Sequence, residues 1–155
     1  MKRARQRGFT MVELIVSFTI LGLLTSMAVP LAAYKVKRDK ERELRYALRE
    51  IRRAIDNYKD ASTLGKIDVK LGTEGYPETL EILVQGVKLS QSADGKTIKF
   101  LRRIPMDPMT GTYDWGKRSM QDDPKAQSWG GQNVFDVYSK STERARDGTP
   151  YSEWN

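Results

Sequence analysis

The sequence predicts an α+β protein in which one long N-terminal α-helix packs on a small antiparallel β-sheet. Residues 14–34 contain no charged side chain, and no proline interrupts residues 31–60, as one long helix requires. Near the end of the chain, short runs rich in β-branched and aromatic residues alternate with turn residues, which is typical of a small sheet.

The apolar segment at residues 14–34 is the first element. As an α-helix it would extend about 30 Å, which matches the hydrocarbon core of a bilayer. The basic residues that precede it favour a cytoplasmic N-terminus. They are Lys2, Arg3, Arg5 and Arg7. The segment is therefore predicted to cross a membrane once.

A secretory signal peptide is the alternative for this segment, because it also has a basic start and an apolar middle. Ser26, Met27 and Ala28 offer a small-x-small cleavage pattern. Glu13 opposes this alternative, since an acidic side chain in the apolar region impairs insertion. Pro30 opposes it too, because a proline just past the cut is unfavourable.

The composition argues against catalysis and against binding of nucleic acid. The chain has no cysteine and no histidine, which excludes disulfides, thiolate nucleophiles and histidine-based metal or acid–base sites. The sequence has no phosphate-binding loop or nucleophile elbow. Much of the net charge of +7 comes from the basic start, so it does not indicate a nucleic-acid partner.

The most specific motif follows that basic start. It consists of a glycine, a phenylalanine and a glutamate, at Gly8, Phe9 and Glu13. It resembles the N-terminal motif of type IV prepilins, the superfamily of pilins and pseudopilins. The resemblance implies cleavage between Gly8 and Phe9 by a prepilin peptidase, and N-methylation of Phe9.

The resemblance also implies a role for Glu13 in filament assembly, as the partner of the Phe9 amine of a neighbouring subunit. A carboxylate in or near hydrocarbon costs on the order of 2.5–3.5 kcal/mol on insertion scales, so it needs such a partner. Taken alone, a Glu13 bathed in headgroup water explains the residue equally well. The adjoining Gly8 and Phe9 favour the filament contact.

Pro30 and Gly22 are predicted to weaken the apolar helix. Pro30 cannot donate a hydrogen bond to the carbonyl of Ser26, so it kinks or opens the helix. In the family that the motif resembles, a proline here marks where the helix bends or melts during filament packing. The alternative is a proline that a transmembrane helix merely tolerates.

The helix is predicted to run from about Phe9 to about Asp60. Beyond the apolar segment, apolar residues recur at steps of four and three along one seam. They are Leu44, Leu48, Ile51, Ile55 and Tyr58. Arg45, Arg49, Arg52 and Arg53 occupy the other faces. We expect this charged face to be ordinary solvated surface, with contact to adjacent subunits as the alternative. The resemblance implies a leader at 1–8, a transmembrane and filament-core helix at 9–34, and a periplasmic head at 35–155 that includes the continuation of the long helix.

The head is predicted to contain a second short helix and several strands. Pro77 stands at a plausible first helical position, and Gly86 at the end of that helix. Residues 97–100 predict a short strand. Strands are also expected from Trp115 onward and at residues 134–138, pairing antiparallel.

Residues 104–111 are predicted to form a constrained loop, because two prolines and a Thr-Gly pair restrict the backbone. The loop resembles the proline–aspartate–proline–threonine–glycine loop of major pseudopilins in type II secretion. That resemblance implies a structural subunit that polymerises through its N-terminal helix into a periplasmic pseudopilus. The implied location is the bacterial inner membrane, single-pass, with the head in the periplasm.

The implied partners are copies of this chain, other pseudopilins, the prepilin peptidase and a secretion platform membrane protein. Two alternatives stay open. One is a pilin of a type IV pilus or DNA-uptake system, against which the missing cysteines count. The other is a monomeric membrane-anchored or secreted binding domain.

We predict no cofactor and no metal, with calcium as the alternative. Major pseudopilins typically bind calcium in a late, aspartate-rich loop. Here that region offers Glu143 and Asp147 among basic residues, whereas calcium takes six to eight oxygen ligands. Asp122 and Asp123 would help only if they folded nearby.

Overall fold

The computed structural model describes residues 9–90 and 95–154, without the side chains of residues 27–31. It divides into an N-terminal unit that ends at Asp39 and a head unit, Lys40–Asn155. The elements are α1 (Met11–Thr63), α2 (Leu80–Gln85), β1 (Val87–Lys88), β2 (Thr97–Ile98), β3 (Gly116–Arg118), β4 (Asp136–Tyr138) and a 3₁₀ turn (Tyr151–Glu153). The predicted α+β class is confirmed.

The helix α1 extends slightly beyond its predicted end. Lys66 donates its backbone N–H to the carbonyl of Ala61 at 2.9 Å, as at many helix C-termini. Gly65 follows with a φ of 65°, a left-handed conformation that glycine adopts without steric cost. The helix therefore ends at a glycine that reverses the chain.

The predicted seam of α1 is buried, as expected. Its four aliphatic side chains are fully buried and Tyr58 nearly so. Side chains from the rest of the head unit complete the same apolar core. The main ones are Trp115, Val134, Val137 and Tyr151. The spacing of four and three thus identified the face on which the head folds.

Two small antiparallel sheets make up the β-structure. β1 pairs with β2, and β3 pairs with β4 in the register Gly116 to Tyr138 and Arg118 to Asp136. The predicted antiparallel pairing is confirmed, but the regular strands are shorter than expected. Val134 lies before β4 because its N–H donates instead to the carbonyl of Pro77 at 2.7 Å.

The predicted start of the second helix at Pro77 is wrong. α2 begins at Leu80, after Thr79 in an extended conformation with φ −143° and ψ 161°. Pro77 is buried, and its carbonyl accepts a hydrogen bond from the N–H of Val134, so it is paired with a distant segment rather than within a helix. The predicted end at Gly86 is confirmed, where φ is 89°.

The charged face of α1 is not all solvated surface, so that expectation is wrong for Arg52. Its Nε donates to Oδ1 of Asp136 on β4 at 2.7 Å, and its Nη2 donates to the carbonyls of Val137 and Trp154. Arg118 lies 3.5 Å from the other oxygen of Asp136. The carboxylate of Asp136 therefore joins two guanidinium groups between the helix and the second sheet.

The end of the chain docks on the part of α1 that belongs to the head unit. Tyr151 is fully buried and donates its hydroxyl to Oε1 of Glu41 at 2.9 Å. Burial and the neighbouring Glu41 carboxylate raise the pKa of the Tyr151 hydroxyl well above its ordinary value. The guanidinium of Arg45 stacks on the ring of Trp154, 4.5 Å from its centroid. The tail is thus part of the core.

Gly116→Ala is expected to destabilise the head unit by about 1–3 kcal/mol, as overpacked cores are. A Cβ at this position would overlap the ring of Tyr138. That ring cannot easily move, because its hydroxyl donates to the carbonyl of Gln127 and Arg118 stacks on its face. Urea unfolding followed by tryptophan fluorescence would measure the loss. The exposed Thr142→Ala should change little, and equal stability of both variants would contradict the expectation.

Candidate processing and assembly site

The first turn of α1 is capped by a threonine. Thr10 accepts a hydrogen bond at its Oγ1 from the backbone N–H of Glu13, at 3.2 Å, and its carbonyl accepts from Leu14 at 3.1 Å. Such a cap satisfies one of the free N–H groups at a helix start. The Thr-x-x-Glu spacing is the sequence signature of a capping box, a signal that the sequence analysis missed.

Glu13 lies in the first turn of the helix, where the helix dipole favours a negative charge. Its side chain and that of Phe9 are both exposed, so both are accessible to another molecule. Gly8 lies outside the described residues. The predicted cleavage between Gly8 and Phe9, the methylation of Phe9 and the pairing of Glu13 with a neighbour stay predictions.

The N-terminal unit exposes a long apolar surface. The side chains of every large apolar residue from Phe9 to Leu24 are about half to four-fifths exposed. Contiguous exposed apolar surface of this extent marks a site of contact with protein or membrane. Among the described residues, no helix is both long enough and apolar enough to count as a membrane span.

Hydroxyl side chains on this apolar surface are satisfied within the helix. Ser17 donates to the carbonyl of Glu13 at 2.7 Å, and Thr19 donates to that of Ile15 at 2.8 Å. Thr25 donates to the carbonyl of Leu21, also at 2.8 Å. These hydroxyls therefore need no partner from outside, which suits a helix surrounded by apolar groups.

The two residues predicted to weaken this helix both lie within the bounds of α1. The backbone is helical through residues 27–31, but the side chain of Pro30 lies outside the described residues. A Cβ at Gly22 would meet nothing within 4 Å, so no close approach requires this glycine. The predicted kink at Pro30 and Gly22 stays a prediction.

The predicted constrained loop is built around the buried carboxylate of Asp107. Its Oδ1 accepts the N–H of Met109 at 2.8 Å, and its Oδ2 accepts the hydroxyl of Ser139 at 2.6 Å. The backbone of Asp107 also pairs with that of Thr112. Because Ser139 follows β4 directly, this one carboxylate fixes the loop to the second sheet.

Asp107→Ala is expected to destabilise the protein by about 1–3 kcal/mol, since it leaves the buried hydroxyl of Ser139 and the half-buried N–H of Met109 without their acceptor. Ser139→Ala removes the other partner of the Asp107–Ser139 bond. The double variant should therefore lose less unfolding free energy than the two single variants lose in sum. Urea unfolding of the four proteins measures this coupling. Additive losses would show that the Asp107–Ser139 bond contributes nothing.

The tail region considered for calcium is organised by its own hydrogen bonds. Oδ1 of Asp147 accepts the N–H of Thr149 at 3.0 Å, a bond that lowers the pKa of the Asp147 carboxyl. Arg144 donates to the carbonyl of Gly148 at 2.9 Å. Within residues 9–90 and 95–154, no cluster of three or more acidic side chains is placed to hold a metal ion.

Both the N-terminal segment and most of the chain match known proteins. Residues 3–29 match the prokaryotic N-terminal methylation motif. The chain is 32% identical to type II secretion system core protein G of Klebsiella michiganensis over 122 residues, which cover 73% of this chain and 75% of that protein. The protein of the same name from Escherichia coli is 32% identical over 114 residues, 70% of each chain.

A more distant relative matches over a greater length. Type II secretion system core protein G of Pseudomonas aeruginosa is 27% identical over 153 residues, which cover 96% of this chain and 92% of that protein. None of the solved structures matches the chain significantly.

Proposed function

Because this chain belongs to the family of type II secretion system core protein G, the major pseudopilins, we propose how its residues carry out that structural role. A prepilin peptidase removes residues 1–8, and residues 9–34 anchor the product in the inner membrane. The head then lies in the periplasm. The subunit polymerises through its N-terminal helix into a periplasmic pseudopilus for type II protein secretion.

The observation that carries this proposal is the methylation motif across residues 3–29, which includes the junction between Gly8 and Phe9. Cleavage there removes the cationic leader and creates a new amine at Phe9, and methylation keeps its charge. The apolar Phe9 can then enter hydrocarbon. Glu13 lies about one helical turn after Phe9 along the helix. An axial shift of about one turn between two neighbouring subunits would bring the Phe9 amine of one next to the Glu13 carboxylate of the other, where it can neutralise that charge.

The exposed apolar surface of the N-terminal unit supports packing of helices in the filament. A single chain leaves this surface uncovered, while lipid before assembly and neighbouring helices after assembly would cover it. The hydroxyls of Ser17, Thr19 and Thr25 are already hydrogen-bonded within the helix. The helix can therefore move from lipid to contact with neighbouring helices without needing new polar partners. The implied partners are other pseudopilins, the prepilin peptidase and a platform membrane protein.

The mass of the mature N-terminal peptide, from membranes with and without the prepilin peptidase, tests this proposal. We expect a peptide that starts at monomethylated Phe9, and its loss when the peptidase is absent. A start at Val29 would show a conventional signal peptide and overturn the filament proposal. An uncleaved Met1 in the presence of the peptidase would leave an ordinary membrane-anchored domain.

Gly8→Leu serves as the matched variant in this experiment. It places a bulky side chain at the proposed cut while leaving the basic start and the apolar segment unchanged. We expect the full leader to persist even when the peptidase is present. Cleavage of Gly8→Leu at the same bond and rate would overturn the proposed role of Gly8.

A further inference from the structure

A groove runs between the head portion of α1 and the segment that leads into the Asp107 loop. It has a volume of about 1100 Å³. Three large side chains with apolar surface line the groove and are exposed to solvent. Tyr46 and Tyr113 are 65% and 66% exposed, and Met106 is about half exposed. Four arginines and two glutamates also line it, so it is basic overall. A groove with exposed aromatic side chains and excess positive charge suits a partner that is apolar at its tip and acidic around it.

A turn elsewhere in the same head unit presents such a tip. Leu71 is 98% exposed, although it is a large apolar side chain. The turn that holds it is fixed, because Thr73 donates both its hydroxyl and its N–H to the carbonyl of Lys70. Gly72 supplies the positive φ of 89° that the third position of such a turn requires. The structure therefore holds an exposed leucine on a rigid support.

The surroundings of this turn carry a small excess of negative charge. Three carboxylates flank Leu71 between residues 64 and 78, against two lysines, and one of these lysines, Lys70, pairs with Glu78 at 3.3 Å. The carboxylates belong to Asp68, Glu74 and Glu78. Among the described residues, Arg102 and Arg103 of the groove form no ion pair within the chain. The two surfaces are thus complementary in charge as well as in polarity.

The turn and the groove lie near opposite ends of the head portion of α1. Tyr46 lies near its start, whereas Lys59, close to its end, donates its Nζ to the carbonyl of Glu74 and fixes the acidic segment there. At about 1.5 Å per residue, the helix separates Tyr46 from Thr63 by about 25 Å. One chain cannot bring the two surfaces together, but two chains stacked along the helix direction can.

We infer that Leu71 of one copy docks into the groove of the next copy along the filament, against Tyr46, Met106 and Tyr113. The contact is heterologous, so each copy offers one turn and one groove and the series does not close on itself. This inference rests on the proposed assembly into a pseudopilus, and it adds a contact between heads to the packing of N-terminal helices. The acidic residues around Leu71 then face the arginines of the groove.

Engineered disulfides test this contact directly, because the chain has no cysteine of its own. The test uses the full chain, assembled in membranes together with its secretion system. Leu71→Cys combined with Met106→Cys gives every subunit one cysteine at the tip and one in the groove. Mild oxidation should then produce a ladder of covalent dimers, trimers and larger species, since bridged Cα atoms lie only about 5–6 Å apart.

Each single cysteine variant should stop at dimers at most, because a longer ladder needs both cysteines in every subunit. The matched control combines Met106→Cys with Ser128→Cys, an exposed residue outside both surfaces, and should give no ladder. Filaments are counted in the same samples by electron microscopy. Filaments without a ladder would overturn this contact and leave the proposed function standing. If no filaments form even from the unaltered chain, the proposed function and this inference both fail.

Leu71→Ser provides a second measurement that does not depend on cysteine chemistry. The loss of one buried leucine at an interface should weaken the contact about tenfold or more, and the yield of sheared filaments should fall accordingly. Leu64→Ser is the matched control, an exposed leucine that lies just after α1 and outside the turn. Equal yields from both variants would overturn the inference. So would a Leu71→Ser chain that assembles normally but fails to bind a secreted protein, because the turn that holds Leu71 would then serve that partner.

Discussion

Glu13→Ala is expected to abolish pseudopilus assembly while leaving the chain inserted, cleaved and methylated. In the proposed assembly, the amine of Phe9 and the carboxylate of Glu13 on neighbouring subunits would neutralise each other in hydrocarbon. Removal of one partner from such a desolvated charge pair costs about 2–5 kcal/mol per contact. Because every subunit of the proposed filament would make this contact, the loss would repeat along the polymer. Sheared filament mass per cell, with membrane-bound subunit measured in parallel, is the readout.

Two controls separate the charge pair from the stability of the helix start. Thr10→Ala removes the cap on the first turn of α1, where the Thr10 hydroxyl accepts the N–H of Glu13, and should cost about 1 kcal/mol without abolishing filaments. Glu13→Gln keeps the size of the side chain and removes its charge, so it should fail as Glu13→Ala does. Normal filaments from Glu13→Ala would mean that headgroup water solvates this carboxylate and that no neighbour pairs with it.

Asp136→Ala is expected to be the most damaging single change in the head unit, with a loss of about 2–4 kcal/mol in unfolding free energy. It leaves two guanidinium groups without their shared carboxylate, and the side chains of Arg118 and Arg52 are only 7% and 22% exposed. Breaking a buried ion pair costs more than the pair itself contributes, since an uncompensated charge stays behind. Urea unfolding followed by the fluorescence of the buried tryptophans measures the loss.

Asp114→Ala is the matched control for this variant. Asp114 also pairs with a cation, Lys140, with 2.6 Å between Nζ and Oδ2, but its side chain is 70% exposed. Exposed pairs contribute about 0–1 kcal/mol, so this variant should stay close to the parent protein. If both aspartate variants unfold at the same urea concentration, the Asp136 pair does not stabilise the contact between α1 and the second sheet.

Periodicity in the sequence was sufficient to identify the elements that bury a continuous face. The seam of Leu44, Leu48, Ile51, Ile55 and Tyr58 follows a helical period, and the structure buries it. Contacts between distant segments were not predictable in this way. Pro77 has the local features of a first helical residue, yet its carbonyl accepts a hydrogen bond from Val134, and that partner lies 57 positions further along the chain.

The same limit applies to polar residues. Arg52 occupies a charged face of α1 in the sequence, and only the folded chain brings Asp136 next to it. Asp107 was predicted to lie in a constrained loop, but its bond to Ser139 depends on where β4 ends. The predictions for Gly8, Phe9 and Glu13 rest on a local motif, which is why they can be made from the sequence alone. The partners of these residues are predicted to lie in other chains or in the peptidase.

The docking of the C-terminal tail on α1 has a consequence for the timing of folding during export. The bond between Glu41 and Tyr151 joins residues 110 positions apart, and that between Arg52 and Trp154 joins residues 102 positions apart. In the proposed topology the N-terminus stays in the cytoplasm and the head is exported after it, so these contacts cannot form until the last residues have emerged. The entropy of closing such long loops makes a fold that depends on these contacts slower to form. Subunits that are truncated or only partly translocated would therefore lack a finished head, and completion of export would precede entry into the polymer.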